Sequence, residues 1–114
     1  MSPLKNQVFH FRWEPDENWI FRAFLVASNP SDFHWELDEN GAVVITGLVD
    51  TYKTLEVVVP DEIDGRPVVA VGEDAFAYCF SLTSVSLPKG LQTLGKSAFN
   101  NCSSLTSVSL PDGL

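Results

Sequence analysis

The sequence predicts a mainly-β solenoid entered through a β-rich capping region at its amino-terminal side. Three observations carry that prediction. Residues 71–91 and 94–114 align at an offset of 23 positions with 14 of 21 residues identical, including Gly72/Gly95, Phe76/Phe99, Cys79/Cys102 and Pro88/Pro111. A unit of that length has no interior of its own and buries its apolar face only by stacking on a neighbour. Residues 33–71 then alternate short β-prone stretches with turn signals. The composition, 45% hydrophobic and 19% charged, belongs to a folded chain and excludes disorder. At 114 residues the length suits one domain with a modest core.

Residues 1–32 are rich in aromatics and do not match the repeat. Gln7–Trp13 sets Phe9, Phe11 and Trp13 on one face at period two, as a strand does. Glu14–Asn18 reads as a turn. Trp19–Ala27 reads as a strand by its aromatic and branched content, while Trp19, Ile20, Ala23, Phe24 and Ala27 also fit one helical face; both readings stay open. Ser28–Asp32 is a loop. Phe9, Phe11, Trp13 and Trp19, together with Trp35, either cap the first coil as a local core or form a candidate aromatic binding patch.

Residues 33–71 form a β-rich cap and a first irregular repeat. Phe33–Leu37 and Ala42–Thr46 flank Asp38-Glu39-Asn40-Gly41, whose Asn-Gly suits the positive φ of a hairpin turn. Thr54–Val59 and Val68–Val71 follow as strands, separated by Pro60–Pro67 with Asp64-Gly65 as a second turn.

Residues 72–114 are two repeats, the second incomplete. Ala75-Phe76 and Ala98-Phe99 are expected to stack rings down the core. Leu82, Val85 and Leu87, with Leu105, Val108 and Leu110, line strand interiors, and Pro88 and Pro111 close those strands because proline donates no hydrogen bond. Ser84, Ser86, Ser107 and Ser109 fall on the outward side, a small hydroxyl-rich face that is either solvated or open to a partner. Gly72/Gly95 and Gly90/Gly113 mark bends. Glu73 stands over Lys96 and Lys89 over Asp112, so each opposite-charge pair is expected side by side.

The run Gly72-Glu73-Asp74-Ala75-Phe76-Ala77-Tyr78-Cys79-Phe80-Ser81-Leu82-Thr83-Ser84-Val85-Ser86-Leu87-Pro88 closely resembles the BspA-like leucine-rich repeat family. Phe33–Leu37, Ala42–Gly47, Val57–Pro60 and Ile63–Val68 look like that family's amino-terminal capping segment, so the resemblance covers about residues 33–114. It implies a right-handed leucine-rich-repeat solenoid of bacterial type used for protein or surface binding, often on secreted or cell-surface proteins and in adhesion. The chain departs from the pattern in residues 1–32 and in stopping mid-repeat without a polar cap. Leu105, Val108, Leu110 and Leu114 are then candidates for an open end at which two chains would stack as a dimer.

Charge bounds the partners. The formal net charge is −8, which speaks against binding the phosphate backbone of nucleic acid. Eleven acids lie between Asp32 and Asp74 against two bases, Lys53 and Arg66. Glu36, Asp38, Glu39, Asp61, Glu62 and Asp64 are the candidate acidic face for a basic partner, with a solvated surface as the alternative. Met1–Phe11 lacks the apolar core of a secretory signal and no run reaches a membrane span, so the chain as given is expected in the cytoplasm.

No chemistry is legible. Cys79 and Cys102 share a repeat position, near enough for a disulfide. Yet in-register side chains point the same way and no CxxC accompanies them, so buried free thiols are expected, with a disulfide or a metal as the alternatives. His10 and His34 sit in separate strand-like stretches, and the serines lack a GxSxG elbow. No metal, cofactor or catalytic residue is expected, and the chain reads as a non-enzymatic protein-binding module. The alternatives are a small acidic inhibitor, of phage or mobile-element type, that blocks the basic groove of a nucleic-acid enzyme such as a CRISPR effector, and a self-assembling structural or adhesion fragment.

Overall fold

Two stacks of short strands face each other across an apolar interior in the computed structural model, which describes residues 26–112. The strands are β1 (Val26–Ala27), β2 (Phe33–Leu37), β3 (Val43–Leu48), β4 (Glu56–Val58), β5 (Glu62–Ile63), β6 (Arg66–Val71), β7 (Ser84–Ser86), β8 (Thr93–Leu94) and β9 (Ser107–Ser109). One sheet is wholly parallel, in the order β1-β4-β7-β9. The other runs β2-β3-β6-β5, with β8 also on β6. From β6 onward the chain winds from one sheet to the other and back, a β-solenoid. No helix among the described residues is long and apolar enough to cross a membrane.

Register explains the periodicity. On the parallel sheet, Ala27, Val57, Val85 and Val108 form one rung and point inward. On the opposite sheet Ile45, Val71 and Leu94 align in the same way. Between the sheets, Phe76 is fully buried and stacks on Phe99 with ring centroids 5.7 Å apart and planes 18° apart. Burying a side chain of that size contributes about 1.5–3 kcal/mol. The corner that carries these rings has its own ladder: the N–H groups of Asp74, Phe76 and Tyr78 donate to the carbonyls of Lys96, Ala98 and Asn100 at 3.1, 2.8 and 2.8 Å.

Both turn signals are seated where expected, in different forms. Asp64 (φ 55°) and Gly65 (φ 76°) make a two-residue turn with both φ positive, which pairs Ile63 with Arg66. That turn starts β6 at Arg66 rather than Val68. Pro67 is tolerated there because it faces Glu62 in the pair next to the turn-closing one, where no amide is needed. In the β2–β3 hairpin only Gly41 takes positive φ (79°), and the Asp38 carboxylate accepts from the N–H groups of Asn40 and Ala42 at 2.8 and 2.9 Å. The strand anticipated over Thr54–Val59 is shorter because the Thr54 hydroxyl donates to the Asp50 carbonyl, holding a loop.

Several expectations are corrected. Strand β8 was not anticipated, although shifting Val71 by the repeat length lands on Leu94. Glu73 and Lys96 form no ion pair, nor do Lys89 and Asp112. The Lys89 N–H instead donates a long bond, 3.4 Å, to the Asp61 carboxylate. Gly95 is less a bend than a close approach: a Cβ there would lie 2.4 Å from the carbonyl carbon of Gly72. The proposed strand Gln7–Trp13, the turn after it, most of Trp19–Ala27, His10, Gly113 and Leu114 lie outside the described residues.

Candidate functional site

The parallel sheet turns a small, polar side outward. Alternation along each strand buries Val57 and Val85 and leaves two outward rungs, Glu56-Ser84-Ser107 and Val58-Ser86-Ser109. Ser86, Ser107 and Ser109 are exposed and Ser84 is half-buried, so the four candidate serines share one face. Side chains this small let a partner come close to the backbone. The face is the same on its last two strands, β7 and β9, because the repeats are identical there.

The acidic candidates fall into groups rather than one continuous face. Arg66 donates from Nη1 to the Gly41 carbonyl at 2.9 Å, which draws the Asp38–Gly41 loop beside the Asp64-Gly65 turn. Asp38 and Glu39 therefore lie on one of the two turns this bond joins and Asp64 on the other, none of them in an ion pair with Arg66, with Glu62 on the strand leading to the second turn. Asp61 is committed to the Lys89 amide, and Glu36 is exposed mid-strand on β2 beside Val44. This clasp joins residues 25 positions apart through one side chain, and no local pattern announces it.

Of the aromatic candidates only Trp35 is described, and it packs partly buried against the core, as its inward alternation with Phe33 requires. Phe9, Phe11, Trp13 and Trp19 lie outside the described residues. At the carboxyl-terminal end Leu105 and Val108 are partly buried and Leu110 is 55% exposed. The edge strand β9 leaves its outer backbone side unpaired among the described residues.

The cysteines are tied inward. Cys79 is buried, and Cys102, half-buried in the next coil, donates its thiol to the Phe76 carbonyl at 2.9 Å. Burial, and then the neighbouring Cys102, push the Cys79 thiol up to about 11; burial raises Cys102 as well. Thiols held protonated in this way are poor nucleophiles. His34 is exposed on β2. Among the described residues no three His, Cys, Asp or Glu side chains gather as metal ligands do.

A group of exposed apolar side chains was missed in the sequence. Tyr78 and Phe80 are 56% and 50% exposed and meet edge to face, centroids 6.1 Å apart, while Tyr52 is 80% exposed in the preceding loop. Comparing the two copies position by position exposes the signal, since Asn101 and Ser103 occupy the equivalent places. Aromatics there are not required by the fold.

Comparison with known proteins agrees with this geometry. The family profile described as "BspA type Leucine rich repeat region (6 copies)" matches residues 67–114. No curated protein matches the chain. A crystal structure of a T. pallidum leucine-rich repeat protein superposes with a TM-score of 0.72 at 37% sequence identity, over 77% of this chain. The chain spans 41% of that protein's length.

Proposed function

With residues 67–114 belonging to the BspA-type leucine-rich repeat family, we propose that the chain is a protein-binding module whose contact area is the outward side of the parallel sheet. The observation that carries this reading is the pair of outward rungs, Glu56-Ser84-Ser107 and Val58-Ser86-Ser109, presented by β4, β7 and β9 in strict parallel register. A face of mostly small side chains excludes little, which suits docking. Stacked coils also hold that face rigid, so little ordering accompanies binding.

The test is affinity purification from the source cell with mass spectrometry, comparing the native chain with Ser86→Arg/Ser109→Arg. Both side chains point outward, so the variant keeps its circular dichroism spectrum while the guanidinium groups obstruct the face. Retained proteins that vanish with the variant support the reading. The same proteins recovered equally by both forms refute it.

A further inference from the structure

We propose that the ring pair Tyr78–Phe80, with Tyr52 at the matching place in the preceding coil, is the contact point for an arginine of a basic partner. This rests on the protein-binding reading above and names the chemistry of the partner.

The corner between β6 and β7 is where the two repeats differ. Seven positions distinguish residues 71–91 from 94–114, and five of them lie between Glu73 and Phe80: Glu73/Lys96, Asp74/Ser97, Ala77/Asn100, Tyr78/Asn101 and Phe80/Ser103. Tyr78 has φ 63° and Asn101 has φ 61°, both left-handed. Asparagine tolerates that conformation and a bulky aromatic does not. The first copy therefore keeps a tyrosine at an exposed position where the fold prefers asparagine, and strain retained at such a place points to use. Tyr52 belongs to the same corner. The Thr83 N–H donates to the Leu55 carbonyl at 2.7 Å, and Tyr52 and Phe80 each precede that pair by three residues. The Asp50 carboxylate accepts from the N–H groups of Tyr52 and Lys53 at 3.0 and 2.9 Å, so the loop is held rather than loose.

Charge selects the occupant. Glu73 and Asp74 precede the ring pair on its own loop and Glu56 begins the strand after Tyr52; all three are exposed, against the exposed Lys53 beside Tyr52 and Lys96 in the next coil. With a net charge of −8 the chain attracts cations over distance. Exposed rings on a strongly acidic chain suit a guanidinium, which stacks on rings and is held less tightly by water than an ammonium.

The test titrates a (Gly-Arg)4 peptide into the full chain by amide NMR, beside the same peptide with every arginine replaced by citrulline, which keeps shape and loses charge. The expected result is shifts centred on residues 73–80, with binding about tenfold weaker for citrulline and for Tyr78→Asn/Phe80→Ser. That double variant copies the second repeat, so it folds. Unchanged arginine binding by the double variant, equal binding of citrulline, or no binding at millimolar peptide each overturns the proposal. Failure here leaves the sheet-face variant still separating bound from unbound partners, whereas failure of the protein-binding reading leaves both variants indistinguishable in pull-down.

Discussion

Gly95→Ala should destabilise the chain far more than Gly72→Ala, although the two glycines hold the same place in the repeat. A Cβ at Gly95 would lie 2.4 Å from the carbonyl carbon of Gly72, 2.5 Å from the Glu73 nitrogen and 2.7 Å from the Gly72 oxygen. All three are backbone atoms, so no rotamer relieves the clash, and the coils must part by about 1 Å. The Gly95 N–H to Val71 carbonyl bond (2.7 Å) and the Asp74 N–H to Lys96 carbonyl bond (3.1 Å) then stretch beyond useful length. Two lost bonds at about 1 kcal/mol each, with up to about 1 kcal/mol from loosening the Phe76–Phe99 stack, outweigh the gain of about 0.4–1 kcal/mol from restricting the unfolded chain. The expected net loss is about 1–2.5 kcal/mol. At Gly72 the nearest atom to a new Cβ is the Ile45 oxygen at 3.4 Å, which is ordinary contact, so that variant should stay within about 1 kcal/mol of the native chain. Urea unfolding followed by circular dichroism measures both. Equal midpoints for the two variants would refute the close-approach argument and return Gly95 to being a simple bend.

Other consequences are smaller or conditional on pH. Asp38→Ala leaves the N–H groups of Asn40 and Ala42 without their carboxylate and should lower stability by about 1–2 kcal/mol, with faster amide exchange confined to the β2–β3 hairpin. The Cys79 thiol sits at about 11 in the folded chain against an ordinary 9.0. The unfolded chain therefore releases that proton first, so stability is level below pH 9 and falls between about 9 and 11. Urea midpoints across that range should decline less steeply in Cys79→Val than in the native chain; identical slopes would sink the argument. In the native chain a thiol reagent near neutral pH should label half-buried Cys102 ahead of buried Cys79; the reverse order would contradict the burial.

The scaffold was legible because its inward positions obey strict rules. A strand rung needs a branched side chain at Val57, Val85 and Val108 alike, so the repeat announces itself and the register follows from it. Strand lengths were less legible, since Thr54 is β-branched yet spends its hydroxyl on the Asp50 carbonyl. The expected pairs Glu73/Lys96 and Lys89/Asp112 failed because exposed side chains gain too little from pairing to be held by charge alone. The serine face was visible as alternation, but the exposed rings of Tyr78 and Phe80 were hidden within the repeat pattern. Which way a corner residue points depends on left-handed backbone at Asp74 and Tyr78; aspartate tolerates that conformation, but a tyrosine gives no sign of it.

The division between uniform sheet and individual corner can be tested by moving the individuality. Ser84 and Ser86 recur as Ser107 and Ser109, so the sheet offers the same chemistry in successive coils and supplies area more than discrimination. Tyr78 and Phe80 do not recur. Asn101→Tyr/Ser103→Phe would write the first corner into the second coil. Coils stand about 4.8 Å apart and a cation interacts with a ring within about 6 Å of its centroid, so the new rings join the existing site instead of creating a distant one. Arginine-peptide affinity should rise by about two- to fivefold for each ring engaged, while citrulline-peptide affinity stays put. Replacing Asn101 at φ 61° with tyrosine should cost about 1 kcal/mol of stability. A folded variant with no gain for arginine, or an equal gain for citrulline, would show that the corner discriminates by bulk hydrophobicity or not at all. Recognition would then belong to the serine face.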